Sequence, residues 1–248
     1  MSTEISKYKK EYCVKSYETD CHGFLRVVTL MNWLQDIAFE NAEFLGFGLE
    51  ACRAQNLAWV GSDYAIKIHR MPHLEEHITI ETWPAEGKLW GAIRDFMLKD
   101  QNGEIIALAS SQWVLIDYEQ RRPVVLKKHF PHYSFIPERV IAEDFPKINP
   151  PQSDNVYEFA VRFDDVDVNN HVNNAVYPLW AGESIDSAYR TEHFITEMNI
   201  SFKKEALYGE TVAIHTTQVQ DESLHLITDK NTGATLAVCR FKWAKITS

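Results

Sequence analysis

The sequence predicts an α+β fold made of two tandem copies of one unit, each a long helix wrapped by an antiparallel β-sheet. Three observations predict it. The halves end alike, because "NGEIIALASSQWVLI" (102–116) and "TGATLAVCRFKWAKI" (232–246) each place a Trp ten residues after a Gly, Gly103 to Trp113 and Gly233 to Trp243. Upstream, "EHITIET" (76–82) lines up with "ETVAIHT" (210–216), both alternating apolar with polar. Further upstream, each half carries a strand, a polar segment and a helix-like stretch in that order.

The terminal segments read as strands because Ala107, Ala109, Ser111 and Trp113 match Ala237, Cys239, Phe241 and Trp243 at a period of two. That period puts one set of side chains on a single face of a strand. Asn102-Gly103 and Thr232-Gly233 are expected to be hairpin turns. In the first half, Leu30, Leu34, Ile37, Ala38 and Leu45 keep the spacing of an amphipathic helix. In the second, "AVYPLWAGESIDSAYR" follows the polar segment, with Pro178 near the first turn, where a missing N–H costs least. Residues 127–155 carry five prolines and little periodicity, which suits a linker. The expected organisation is an N-terminal repeat over 1–126, a linker over 127–155 and a C-terminal repeat over 156–248: a tandem double hotdog.

Composition narrows the class. A chain of 248 residues can bury a core without covalent support, and Cys13, Cys21, Cys52 and Cys239 form no CxxC pair, so neither a zinc nor a redox motif is indicated. They read as reduced thiols. The N-terminus lacks the apolar run of a signal peptide, and no segment approaches the ~20 apolar residues of a membrane span, so a cytoplasmic protein is expected. With 35 acidic against 25 basic residues the net charge is −10, which argues against nucleic acid as a partner.

One stretch does not fit the repeat as scaffold alone. "DVNNHVNN" (167–174) packs four Asn around His171, with Asp167 leading. An extended chain would bring Asp167, Asn169 and His171 onto one side, whereas a helix would point them apart. Asn173 and Asn174 are N-cap candidates for the next helix, whose unpaired N–H groups suit a developing oxyanion. Taking Tyr17 as the counterpart of Phe163, the first half has Cys21, Gly23 and Leu25 where the second has Asp167, Asn169 and His171. Only the second copy is then chemically equipped.

"DVNNHVNNAVYPLWAGES" resembles the acyl-(acyl carrier protein) thioesterase family, whose motif is D-x-N-x-H-V-N-N before an aromatic-rich helix. "TLMNWLQDIAFENA" (29–42), "LAWVGSDYAIKI" (57–68), "ITIETWP" (78–84) and "ASSQWVLID" (109–117) fit the same family in the same order, so the resemblance runs from about Tyr12 to Trp243. It implies that Asp167, Asn169, His171 and Glu205 are the catalytic set, Glu205 lying in "NISFKKEALYG". Family members often carry Cys directly after that Glu; here the residue is Ala206. A methyl group cannot attack a thioester, so the remaining carboxylate, imidazole and amide suit activation of water, with Glu205 as general base and His171 orienting the water or sharing its proton.

The resemblance also implies a fatty acyl thioester on the 4'-phosphopantetheine arm of acyl carrier protein as substrate, with no metal and no cofactor. It assigns the acyl pocket mainly to the first half, where Trp33, Ile37, Trp59 and Trp90 are candidates beside Asn173 and Asn174 near the catalytic set. An acidic carrier protein needs a local basic patch despite the net charge, and Arg121, Arg122, Lys127, Lys128, Lys203 and Lys204 are the docking candidates. The rival substrate is an acyl-coenzyme A. A non-catalytic acyl-binding protein would show a degraded site. A dehydratase would need a helix-borne acid, for which the second-half helix offers Glu183 and Asp186. A monomer is feasible and a homodimer equally open.

Overall fold

The computed structural model describes residues 6–153 and 155–246. In chain order the elements are β1 (Tyr8–Cys13), α1 (Val27–Phe44), α2 (Leu49–Arg53), β2 (Leu57–Ile68), β3 (His77–Lys88), β4 (Gly91–Lys99), β5 (Ile105–Asp117), β6 (Arg122–Pro123), α3 (Leu126–His129), β7 (Val156–Ala160), α4 (Val176–Glu183), α5 (Ser187–Glu192), β8 (His193–Phe202), β9 (Thr211–Val219), β10 (Glu222–Asp229) and β11 (Thr235–Lys245). Contacts divide the described residues into two compact units, one of 6–26, 32–63 and 69–144, the other of 27–31, 64–68 and 145–246.

In the first unit the strands follow the order β1-β3-β4-β5-β2, with β6 added to β5. The β1–β3, β3–β4 and β4–β5 pairs are antiparallel. Helix α1 buries Leu34, Ile37 and Ala38, the stripe read from the sequence, and ends at Phe44, so that Leu45 caps it. Gly103, with φ +82, turns β4 into β5 in the left-handed region that glycine enters without a Cβ clash. The proline-rich stretch is not featureless at its start: Phe130, Tyr133 and Ile141 are buried, and Phe130 and Tyr133 pack with Phe47, Leu57 and Leu115. Arg139 reaches the buried Asp95, and the Val140 N–H donates to the same carboxylate at 2.8 Å.

In the second unit the order is β8-β11-β10-β9-β7, antiparallel at every pair. The face of β11 read from the sequence is the buried one: Ala237, Cys239 and Phe241 are fully enclosed and Trp243 nearly so. Gly233 makes the matching left-handed turn at φ +69.

One expectation fails here. "AVYPLWAGESIDSAYR" is two short helices rather than one long one. Ser184 ends α4, its hydroxyl donating to the Ala181 carbonyl at 2.7 Å. Asp186 then adopts an extended conformation and caps α5, accepting from the Ala188 and Tyr189 N–H groups at 2.9 and 3.2 Å. An Asp that hydrogen-bonds the backbone two or three residues on favours a new N-cap over continuation of the helix. Glu183 is held by Arg190 at 2.7 Å.

Candidate active site

The polar segment leaves β7 through a single 3₁₀ turn, Phe163–Asp165. Asp165 is buried, and its carboxylate accepts from the Arg162 N–H at 2.9 Å and from the Arg162 guanidinium at 2.7 Å. This pair anchors the loop, and its hydrogen bond and charge raise the Arg162 pKa. From there the chain closes on itself. The Asn173 N–H donates to the Asp165 carbonyl, Val166 bridges Val172, and the Asp167 N–H donates to the His171 carbonyl at 2.9 Å.

The expected extended geometry is therefore replaced by a closed turn. The Asn170 N–H donates to the Asp167 carbonyl at 3.0 Å, and Asn170 itself sits at φ +61. Asn tolerates the left-handed region better than other non-glycine residues. The Asn content now has reasons. Asn170 supplies the left-handed position. Asn169 donates its N–H to Asp167 Oδ1 at 2.8 Å, and its side-chain amide lies 3.5 Å from Oδ2. Asn173 accepts from the Ala175 N–H at 2.8 Å. The expected capping is corrected accordingly, since Ala175 is the N-cap and no side chain caps α4 directly. Asn173 also takes the Val176 N–H on its carbonyl, and Pro178 has no N–H to offer. This leaves fewer helix-start donors for an oxyanion than the sequence suggested.

A test of the turn follows. Replacing Asn170 by Gly is expected to keep stability within about 0.5 kcal/mol, whereas Asn170→Val is expected to cost about 1–2 kcal/mol. Equal midpoints for the two variants in urea denaturation would remove the left-handed requirement.

The closed turn delivers His171 to Glu205, with Nε2 3.3 Å from Oε2 and both side chains half-buried. Neighbouring backbone bonds fix that meeting. The Val172 N–H donates to the Ala206 carbonyl at 2.9 Å, and the Ala206 N–H donates to the Tyr177 hydroxyl at 2.9 Å. Tyr177 is buried against Trp180 and Phe202. Burial, and the negative charge of Glu205, push its phenol up to about 12 against the pull of the Ala206 N–H, so it stays neutral. Ala206 is fully enclosed.

The first unit contains the same loop with different chemistry, which corrects the expected register by one residue. The Asp20 N–H donates to the Phe24 carbonyl, the Gly23 N–H to the Asp20 carbonyl, the His22 N–H to Asp20 Oδ1, and Thr19 bridges Leu25. Bond for bond, Ser16 corresponds to Phe163, and Asp20, His22 and Phe24 correspond to Asp167, Asn169 and His171. Leu25 donates to the Pro72 carbonyl as Val172 does to that of Ala206, so Met71 occupies the place of Glu205. The first copy keeps the turn and its Asp, but Phe24 stands where the second has His171 and Met71 where it has Glu205.

The remaining candidates fall as follows. Trp33 is buried, stacked on Tyr12 at 4.7 Å with its indole N–H on Glu18, and Ile37 is fully enclosed. Trp59 donates to the Phe47 carbonyl at 2.8 Å, and Trp90 is exposed. Asn174 is half-buried beside Asn173. Arg121, Arg122, Lys127 and Lys128 are exposed on the first unit, where Lys127 also meets the Tyr133 carbonyl. Lys203 and Lys204 are exposed on the second, immediately before Glu205. Sequence reasoning missed Tyr177 and Asp165. Asp165 was findable as an Arg-x-x-Asp capping pair, but the hydroxyl of Tyr177 meets a backbone amide 29 positions away, which no spacing reveals.

Two repeats of this construction, one of them with an imidazole against a carboxylate beside the turn into its helix, define a tandem hotdog fold with one chemically equipped copy. Residues 5–132 match the acyl-ACP thioesterase N-terminal domain and residues 148–245 the acyl-ACP thioesterase C-terminal domain, so the chain belongs to the acyl-ACP thioesterase family. Oleoyl-acyl carrier protein thioesterase 2, chloroplastic, of Arabidopsis thaliana is 28% identical over 249 residues, covering 92% of this chain and 68% of its own length. The chloroplastic palmitoyl-acyl carrier protein thioesterase of the same plant is 28% identical over 213 residues, covering 80% of this chain and 52% of its own length. The chain thus spans from about half to about two thirds of these relatives. Among solved structures, an acyl-ACP thioesterase from Bacteroides thetaiotaomicron superposes with a TM-score of 0.88 at 21% identity, covering 96% of this chain and 98% of its own. The 12:0-ACP thioesterase from Umbellularia californica gives 0.83 at 23% identity, covering 97% and 98%. These two likenesses concern the fold. Among the described residues, no helix is long and apolar enough to cross a membrane.

Proposed function

We propose that the protein hydrolyses fatty acyl-(acyl carrier protein) through a water molecule activated at the His171–Glu205 pair. The observation that carries this reading is the 3.3 Å contact between His171 Nε2 and Glu205 Oε2 on a loop closed by its own backbone. Glu205 takes a proton from water as the oxygen attacks the thioester carbonyl carbon. The tetrahedral intermediate collapses with cleavage of the C–S bond, and the departing sulfur receives the proton through Glu205 or His171. The products are a free fatty acid and the thiol of the phosphopantetheine arm. General acid–base catalysis of this kind contributes about 10²–10⁴-fold. Asn169 positions the carbonyl or the water, and Asp167 holds Asn169 through the two contacts described. Ala206 supplies no nucleophile, which is consistent with a water route.

The first unit, whose loop has Phe24 and Met71 in the places of His171 and Glu205, is assigned to the acyl chain, with Ile37, Trp33, Trp59 and Trp90 as candidate contacts. Lys203 and Lys204, next to Glu205 in the chain, lead the docking candidates, and Arg121, Arg122, Lys127 and Lys128 form a second basic group. Free cysteines support a cytoplasmic location.

The test is thiol release from a series of acyl-carrier-protein and acyl-coenzyme A thioesters of graded chain length. Higher kcat/KM across the carrier-protein series, reduced by Lys203→Glu and Lys204→Glu, is expected. Equal or better hydrolysis of the coenzyme A esters would move the assignment to an acyl-CoA thioesterase, and tight binding without turnover would make the protein an acyl binder.

A further inference from the structure

We infer that Tyr177 is a positioning residue for the reaction: its hydroxyl grips the Ala206 N–H and thereby aims the Glu205 carboxylate at His171. The inference rests on the reading of Glu205 as the base. Its grounds are geometric. Glu205 stands in a segment without regular structure between β8 and β9; ahead of it the Lys203 and Lys204 N–H groups both donate to the Leu236 carbonyl, at 2.7 and 3.1 Å, and beyond them no strand ladder continues. A side chain on such a segment reaches a fixed point only if the adjacent peptides are fixed.

On the far side of Glu205 that fixing falls to Ala206, and both its polar groups are used. Its carbonyl accepts from Val172, the residue after His171, and its N–H donates to Tyr177. One bond ties the carboxylate segment to the loop that carries the imidazole. The other ties it to the first turn of α4. Tyr177 can hold its end because its ring is wedged between Trp180, with centroids 5.4 Å apart, and the edge of Phe202 at 5.4 Å and 80°. The hydroxyl serves as acceptor here. The negative charges of Glu205, Glu210 and Asp167 further disfavour its ionisation. In the first unit the residues corresponding to Glu205 and Ala206 are Met71 and Pro72. Proline has no N–H to be held, so the clamp and the base are absent together from the copy without catalytic equipment.

The experiment is a double-mutant cycle with Tyr177→Phe and Glu205→Gln, read as kcat and KM on one acyl-carrier-protein thioester. Tyr177→Phe alone is expected to lower kcat about tenfold to a hundredfold, the cost of a displaced catalytic group, with KM within about twofold. In the Glu205→Gln background the same change is expected to leave kcat unaltered, because there is no base left to aim. A loss of equal size in both backgrounds, or a loss carried by KM, would reduce Tyr177 to a packing residue. Unchanged kcat in Tyr177→Phe, with Glu205→Gln inactive, would overturn this inference and leave the base assignment standing. Full activity of Glu205→Gln would overturn the base assignment itself. Should Tyr177→Phe fail to fold, amide exchange in the wild type decides: the Ala206 N–H is expected to exchange as slowly as the amides of β8, and rapid exchange would show that no clamp exists.

Discussion

Glu205→Gln is expected to lose about 10²–10⁴-fold in kcat while binding substrate with little change. The amide keeps the volume of the carboxylate and can still meet His171 across the 3.3 Å contact, but it cannot take a proton from water. Glu205 is half-buried and the bonds at Ala206 remain, so the fold is expected to survive the change. The measurement is steady-state thiol release combined with a thermal midpoint on the same preparation. Loss of activity together with the midpoint would point to an unfolded protein instead of a missing base. Isotope labelling separates two uses of the same carboxylate. With enzyme in excess and one turnover in ¹⁸O-water, a base-activated water delivers ¹⁸O to the fatty acid and none to the protein. If Glu205 instead attacked the thioester and water opened the resulting anhydride at the protein carbonyl, Glu205 would carry the label. A labelled Glu205 would therefore retain the residue and replace the mechanism.

The second large effect lies away from the site. His225 on β10 is fully buried, and burial pushes its pKa down to about 3. It stays neutral because burial penalises the charged ring, and hydroxyls lie against both ring nitrogens. The Trp243 indole N–H donates to Ser223 Oγ at 2.9 Å, and Ser223 Oγ lies 2.9 Å from His225 Nε2. On the other side Nδ1 lies 2.9 Å from Thr216 Oγ1, which is 2.6 Å from Ser184 Oγ, and Ser184 donates to the Ala181 carbonyl at 2.7 Å. The Ser184 hydroxyl also lies 3.2 Å from Nδ1, so both ring nitrogens meet buried hydroxyls whichever of them carries the proton.

Protonating the second ring nitrogen would place a charge inside a dry core. Below about pH 6.5 the unfolded chain binds a proton at this position that the folded chain refuses until about pH 3. Stability is thus present above pH 6.5 and falls as pH drops through that window, by about 1.4 kcal/mol per pH unit from this one group. Urea midpoints at pH 7, 6, 5 and 4 are expected to fall more steeply for the wild type than for His225→Gln, which has no proton to gain. Parallel slopes would mean that His225 takes up its proton in the native state.

Much of the scaffold was legible in the sequence because strands and helices write their burial as a period. The alternation from Ala237 to Trp243 became the enclosed face of β11, and the spacing of Leu34, Ile37 and Ala38 became the buried stripe of α1. The turn glycines Gly103 and Gly233 were readable because so few other residues accept their backbone angles. The second helix was misjudged, since an apolar pattern continues across Ser184–Asp186 while the hydrogen bonds of Ser184 and Asp186 interrupt it.

For the candidate site, the residue types and their order were in the sequence, and Asp167, Asn169, His171 and Glu205 were all named from it. The conformation was not. A loop closed by an Asx contact and one left-handed residue has no period, so the register between the halves came out one residue off, and only matching hydrogen bonds set Asp20 beside Asp167 in role. The sequence by itself determined two copies of one architecture, one of them chemically equipped. Tertiary structure decided that His171 meets Glu205, that Ala206 is clamped between Val172 and Tyr177, and that His225 is held neutral. Local patterns record what each element buries, whereas contacts between residues tens of positions apart depend on how the elements pack.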